Sequence, residues 1–140
     1  MARPQSSPSA TTQDTERDAC PCGGLAFDDC CARYLERGDI APTAEALMRS
    51  RYTAFVRQDA AYLLDTWAAR TRPATLDFDD APQWLGLQIK GHRQSDETHA
   101  EVEFVARYKV GGRANRLHER SRFERSEDGR WRYIEGDLFD

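Results

Sequence analysis

Thr98-His99-Ala100-Glu101-Val102-Glu103-Phe104-Val105-Ala106-Arg107-Tyr108-Lys109-Val110-Gly111-Gly112-Arg113-Ala114-Asn115-Arg116-Leu117-His118-Glu119-Arg120-Ser121-Arg122-Phe123-Glu124-Arg125 is the stretch that decides the fold. Apolar and polar residues alternate on both sides of Gly111-Gly112, the pattern of two strands joined by a tight turn. With a two-residue turn, Val110 stands opposite Arg113. Tyr108 then opposes Asn115, Ala106 opposes Leu117, Phe104 opposes Glu119, Val102 opposes Ser121 and Ala100 opposes Phe123. That face is apolar along the first strand and is the core side. The other face pairs Glu101 with Arg122 and Glu103 with Arg120, and sets Val105 beside His118. Opposite charges across a ladder favour this register by about 0.2–1 kcal/mol each. A one-residue slip would turn them into the core.

This register carries a chemical consequence. Glu119 and Ser121 point to the core side, with Asn115 near the rim. A buried carboxylate needs a partner or a proton. Upstream, Thr43 caps a helix whose apolar face runs through Ala44, Leu47, Met48, Tyr52, Phe55 and Val56. Arg51 lies on that face and is the expected partner of Glu119. The candidate pocket is therefore Arg51, Tyr52, Phe104, Tyr108, Glu119 and Ser121. One reading is a buried Arg–Glu bridge fastening helix to sheet. The other is a polar cluster in an open cone, able to bind a small molecule. No catalytic residue is assigned: His118 and Glu119 are adjacent on a strand and face opposite ways. His92, His99 and Asp96 are a weaker candidate for a second metal site.

Around this centre, Asp59 opens a second helix with Tyr62, Leu63 and Trp67 inward, stopped by Thr71-Arg72-Pro73. Leu76-Asp77-Phe78 is a short strand candidate. Trp84 to Arg93 is a strand, and Trp131 to Gly136 is the last one. Its register is open: one choice turns Ile134 inward, the other Trp131, Tyr133 and Glu135. A helical hairpin before a run of strands fits a cone-shaped α+β fold. Trp67, Trp84 and Trp131 read as core and rim packing rather than a base-stacking platform.

All four cysteines lie in Cys20-Pro21-Cys22-Gly23-Gly24-Leu25-Ala26-Phe27-Asp28-Asp29-Cys30-Cys31. Two short segments carrying paired cysteines suit a tetrahedral four-thiolate zinc site with Cys20, Cys22, Cys30 and Cys31 as ligands. Adjacent Cys30 and Cys31 are poorly placed to bridge each other. Disulfides from the first pair to the second remain the alternative. A short helix from about Asp29 to Glu36 would carry the second pair at its start.

The cysteine stretch resembles the SEC-C motif, a small zinc-binding module also found at the C-terminus of the SecA translocation ATPase. The motif usually has Ser where Gly24 stands, a departure expected to touch no ligand. The rest resembles the YchJ-like family of small bacterial proteins, through Ala44-Glu45-Ala46-Leu47-Met48-Arg49-Ser50-Arg51-Tyr52, Trp84-Leu85-Gly86-Leu87 and Leu117-His118-Glu119-Arg120-Ser121-Arg122-Phe123. The resemblance implies a zinc knuckle over residues 18–38 followed by a nuclear-transport-factor-2-like α+β cone over 42–140, a helical hairpin packed on a curved antiparallel sheet. It implies no activity. By analogy it suggests protein partners of the translocation or chaperone kind, docking through the knuckle.

Residues 1–17 are rich in Ser, Thr, Pro, Gln and Ala and read as a disordered tail. The net charge of −4 over 140 residues argues against a general nucleic-acid binder. Arg33, Arg37 and Arg49 are the only candidates for local RNA docking. No apolar run reaches membrane-spanning length, and reduced clustered thiols suit a cytoplasmic protein. The expectation is a zinc-binding docking protein that is not an enzyme, with a small-molecule cone around Glu119 as the alternative, and a homodimer through the exposed sheet face.

Overall fold

The computed structural model describes residues 19–24, 26–79 and 81–139; the tail proposed for residues 1–17 lies outside them. A 3-10 turn at Phe27–Asp29 leads into the short helix α1, Ala32–Leu35. Helices α2, Ala44–Arg57, and α3, Ala60–Asp65, follow. Four strands complete the chain: β1 Gln83–Asp96, β2 His99–Val110, β3 Arg113–Arg125 and β4 Trp131–Phe139. They form one antiparallel sheet in the order β1-β2-β3-β4. No helix of the described residues is long and apolar enough to cross a membrane.

Helices α2 and α3 each start at a side-chain cap. Thr43 accepts from the Ala46 amide at 3.0 Å and Asp59 Oδ1 accepts from the Tyr62 amide at 3.0 Å. Helix α2 buries Ala44, Leu47, Met48, Arg51 and Tyr52 against the sheet, and ends on Gln58 in the left-handed region at φ 58°. Helix α3 is shorter than its sequence pattern implies. After Asp65 the chain is captured by β4: Tyr133 N donates to Thr66 O at 2.8 Å and Ala68 N donates to Tyr133 O at 2.7 Å. Trp67 thus lies beside β4 rather than on a helix, and the stop comes well before Pro73. Leu76-Asp77-Phe78 pairs with no strand.

The β2–β3 register matches the sequence reading pair for pair, from Val110 opposite Arg113 to Ala100 opposite Phe123. Gly111 and Gly112 have φ of 58° and 80°, which a two-residue turn of this hand requires and side chains resist. The inner face carries Ala100, Val102, Phe104, Ala106 and Phe123, all buried. On the outer face Glu103 pairs with Arg120, as the register implies, and also with His118, which the register sets opposite Val105. Arg122, expected on Glu101, instead pairs with Glu135 and Asp137 of β4.

Strand β4 follows neither single-parity reading. Tyr133 stands opposite Phe123, but Glu135 stands opposite Arg122 and Gly136 opposite Ser121. Ile134 is the extra residue of a β-bulge. Trp131 and Tyr133, before the bulge, face inward, Ile134 is buried as well, Glu135 is exposed, and inward parity resumes one position late, at Gly136.

Candidate functional site

The cysteine loop is built by local hydrogen bonds. Gly23 N donates to Cys20 O at 3.0 Å, turning the chain after Cys22, and Gly23 sits at φ 89°. Ala19 and Ala26 close the loop as an antiparallel bridge. The 3-10 turn hands Cys30 forward, its amide on Phe27 O at 3.0 Å, and Cys31 caps α1. All four sulfurs lie within 4.8 Å of one another. Cys22 Sγ and Cys30 Sγ are 3.5 Å apart, and none of the four is in a disulfide. Four sulfurs each about 2.3 Å from one zinc ion would be about 3.8 Å apart. The donor set and its spacing fit such an ion.

The sulfurs also compete for protons. Hydrogen bonds from Cys22 and Cys31 hold the Cys20 thiol far below its usual range. The same contact with Cys20 is the main cause that pushes Cys22 up to about 11, and it raises Cys31 as well. One thiolate is favoured and its neighbours are kept protonated, the state that a divalent cation relieves by displacing the protons.

The loop is joined to the body. Thr53 Oγ1 on α2 donates to Cys31 Sγ at 3.3 Å and lies 3.6 Å from Cys20 Sγ. Arg49 donates to the Cys22 carbonyl at 3.0 Å and pairs with Glu45. Cys20, Cys22 and Cys31 are buried in the same core as Leu47, Met48 and Phe104. Gly24, expected to touch no ligand, lies against two: a Cβ there would sit 2.9 Å from Cys30 Sγ and 3.4 Å from Cys22 Sγ. The three arginines considered for RNA are engaged locally. Arg33 donates to Cys30 O, Arg37 to Asp28 O and Arg49 to Cys22 O.

Between α2 and the inner sheet face lies a cavity of about 180 Å³. Arg51, Tyr52, Phe104, Glu119 and Ser121 line it; Tyr108 does not, its ring packing on Trp84 with centroids 5.7 Å apart. The expected Arg51–Glu119 bridge is not formed. Arg51 Nη1 donates to Leu63 O at 2.8 Å and to Thr66 Oγ1 at 2.7 Å. Its guanidinium stacks 5.0 Å from the Trp67 ring centroid and 4.9 Å from that of Tyr133. Burial lowers its pKa to about 10, so it stays cationic at neutral pH. Glu119 Oε2 accepts from Ser121 Oγ at 2.5 Å and from Tyr133 Oη at 3.3 Å. The two charges share a cavity, each held by other groups.

Sequence reasoning missed Trp67, Tyr133 and Thr66, the groups that hold Arg51. Thr66 and Trp67 reach Arg51 because α3 ends early and the chain pairs with Tyr133, and Tyr133 faces inward because the β3–β4 turn sets it opposite Phe123. Thr53 was also missed; its signal is the Arg49–Thr53 spacing of four, which sets both on one side of α2. His118 faces outward, 2.7 Å from Glu103 and away from the cavity. His99 bonds Asp96 at 3.0 Å without His92. Among the described residues, the cysteines are the one cluster of potential metal ligands.

Comparison with known proteins places this architecture. Residues 43–136 match the family described as YchJ, middle NTF2-like domain. A UPF0225 protein of Cupriavidus metallidurans is 58% identical over 125 residues, covering 85% of this chain and 88% of that protein. A UPF0225 protein of Polaromonas sp. is 59% identical over 128 residues, covering 84% and 91%. The solution structure of a SEC-C motif containing protein from Rhodopseudomonas palustris superimposes with a TM-score of 0.77 at 35% identity, covering 86% of this chain and 98% of that one. The crystal structure of a SEC-C motif containing protein from Psychrobacter arcticus gives 0.71 at 28% identity, covering 86% and 82%. The family match over residues 43–136 and these identities make this chain, with its two-helix layer on a four-stranded sheet and its cysteine knuckle, a member of the YchJ-like family.

Proposed function

We propose that this protein binds a small molecule in its cone, and that the four cysteines hold a zinc ion whose work is structural. The observation that carries the reading is the relation of Arg51 to Glu119. A purely structural interior would clamp them together and close over them. Instead both line an open cavity, and each is secured by separate neighbours. Such a preformed apolar pocket with few placed polar groups is the usual form of a small-ligand site.

The zinc assignment rests on four sulfurs within 4.8 Å of one another, three of them buried. Docking of a protein partner through the knuckle is a second reading, favoured by the exposed Ile40 beside the module and by the likeness to SEC-C motif proteins. Native mass spectrometry of the purified protein separates the parts. The expected spectrum has one zinc per chain, lost in Cys22→Ser, and adducts when small aromatic compounds are added. A metal-free chain with intact disulfides overturns the zinc assignment. A chain that retains no small molecule from a fragment set, and whose Glu119→Gln variant only melts earlier, overturns the cavity reading.

A further inference from the structure

We infer that the cone selects an uncharged planar ring bearing an amide-like edge, one carbonyl oxygen beside one N–H, and rejects acids and amines of the same size. This rests on the cavity reading above and names its ligand class.

The size comes first. A cavity of about 150 Å³ holds a benzene ring, and this one is about 180 Å³. The walls come next. Phe55, Trp84 and Leu117 line the half-exposed part, while Phe104 lines the buried part. These surfaces favour a flat apolar body.

The head group follows from the two charges. Arg51 uses only Nη1 for hydrogen bonds, so Nε and Nη2 have no partner among the described residues. Glu119 uses only Oε2, which leaves Oε1 likewise. Among the described residues, the buried side-chain polar atoms lacking a partner are the indole nitrogens of Trp67 and Trp131. The spare atoms of Arg51 and Glu119 are therefore not sealed away, and both residues line the cavity. The site offers a cationic donor and an anionic acceptor, and is itself neutral as a pair. A carboxylate ligand would meet Arg51 but bring a second anion beside Glu119. An ammonium would do the reverse beside Arg51. Either leaves an uncompensated charge in a poorly hydrated space. An amide edge satisfies both, accepting from Arg51 and donating to Glu119.

The test uses three probes of one shape: benzamide, benzoate and benzylamine. Each is titrated into the full chain while the indole N–H resonances are followed by NMR. Trp67 and Trp84 line the cavity and report binding; Trp131 does not line it and is the control. The expected result is that benzamide moves the Trp67 and Trp84 signals, leaves Trp131 in place, and binds at least about tenfold more tightly than either ion. Glu119→Gln should then narrow the gap between benzamide and benzoate. That effect is confined to the acid, which a general loss of packing would not reproduce. Preference for a charged probe, with Trp67 and Trp84 still responding, overturns the head-group assignment and keeps the cavity reading. Trp67 and Trp84 signals unmoved by all three probes overturn the cavity reading itself.

Discussion

Gly136 stands beneath the Glu119 carboxylate, and a Cβ on it would overlap that carboxylate outright. The two residues belong to neighbouring strands, one beyond the bulge and one in the conserved parity of the hairpin register. Glu119 keeps its position at the cavity wall because residue 136 has no side chain. Gly136→Ala is therefore expected to destabilise the fold by about 1–3 kcal/mol, the usual cost of overpacking. Urea denaturation measures it. Adding Glu119→Ala should recover most of the loss; two additive penalties would show that the overlap is not the cause.

Thr53 offers its hydroxyl to Cys31 from a fully buried position on α2. Thr53→Val keeps the shape and removes the donor. The expected outcome is weaker metal retention by about 10–100-fold, as for other groups that orient metal ligands. Competition with a chelator of known affinity reads it out. Unchanged retention would make Thr53 a packing residue only.

Arg51 ties α2 to the end of α3 through Leu63 and Thr66 and packs between two rings. Arg51→Met fills similar volume without the donors. Hydrogen bonds from a charged group contribute about 1.5–3 kcal/mol, and their loss leaves the Leu63 carbonyl and the Thr66 hydroxyl without this donor. A stability loss of about that size is expected in chemical denaturation. A variant as stable as the parent would mean that desolvation cancels the bonds.

Alkaline pH should loosen the fold in a defined window. Burial raises the pKa of Tyr62 and Tyr133 to about 12, from an ordinary value near 10. Between those values the unfolded chain releases protons that the folded chain keeps. The stability they contribute is complete below about pH 10 and lost as pH rises through about 12. Arg51 acts in the opposite sense, since its pKa is lowered to about 10 and the folded chain releases its proton first. Two tyrosines oppose one arginine, and Tyr34 and Tyr52, also raised by burial, act in the same sense as those two, so the net slope is downward. Urea midpoints at pH 9 and 11.5 should fall in the parent and fall less in Tyr62→Phe/Tyr133→Phe. An equal slope in both would remove these tyrosines as the cause.

The hairpin was legible because three signals agree on it: a Gly-Gly turn, an alternating apolar face, and charges of matching sign on the other. The cysteine cluster was legible because clustering itself is informative. The partner of Glu119 was not. Pattern reasoning chose Arg51 because it is the one cation on the inner helix face. The carboxylate is instead met by Ser121, two residues along its own strand, and by Tyr133, which faces inward because the β3–β4 turn sets it opposite Phe123. The length of α3 was overestimated for a related reason: the chain beyond Asp65 gains more by pairing with β4 than by another helical turn.

Ile134 thus acts as a phase shifter for the last strand. If the ladder ran straight through it, without the bulge, Glu135 and Asp137 would stand where Gly136 and Leu138 now stand, bringing fresh carboxylates against Glu119. The bulge, rather than the alternation of the sequence, therefore keeps acidic side chains away from Glu119, and the residue that carries it has its own side chain buried.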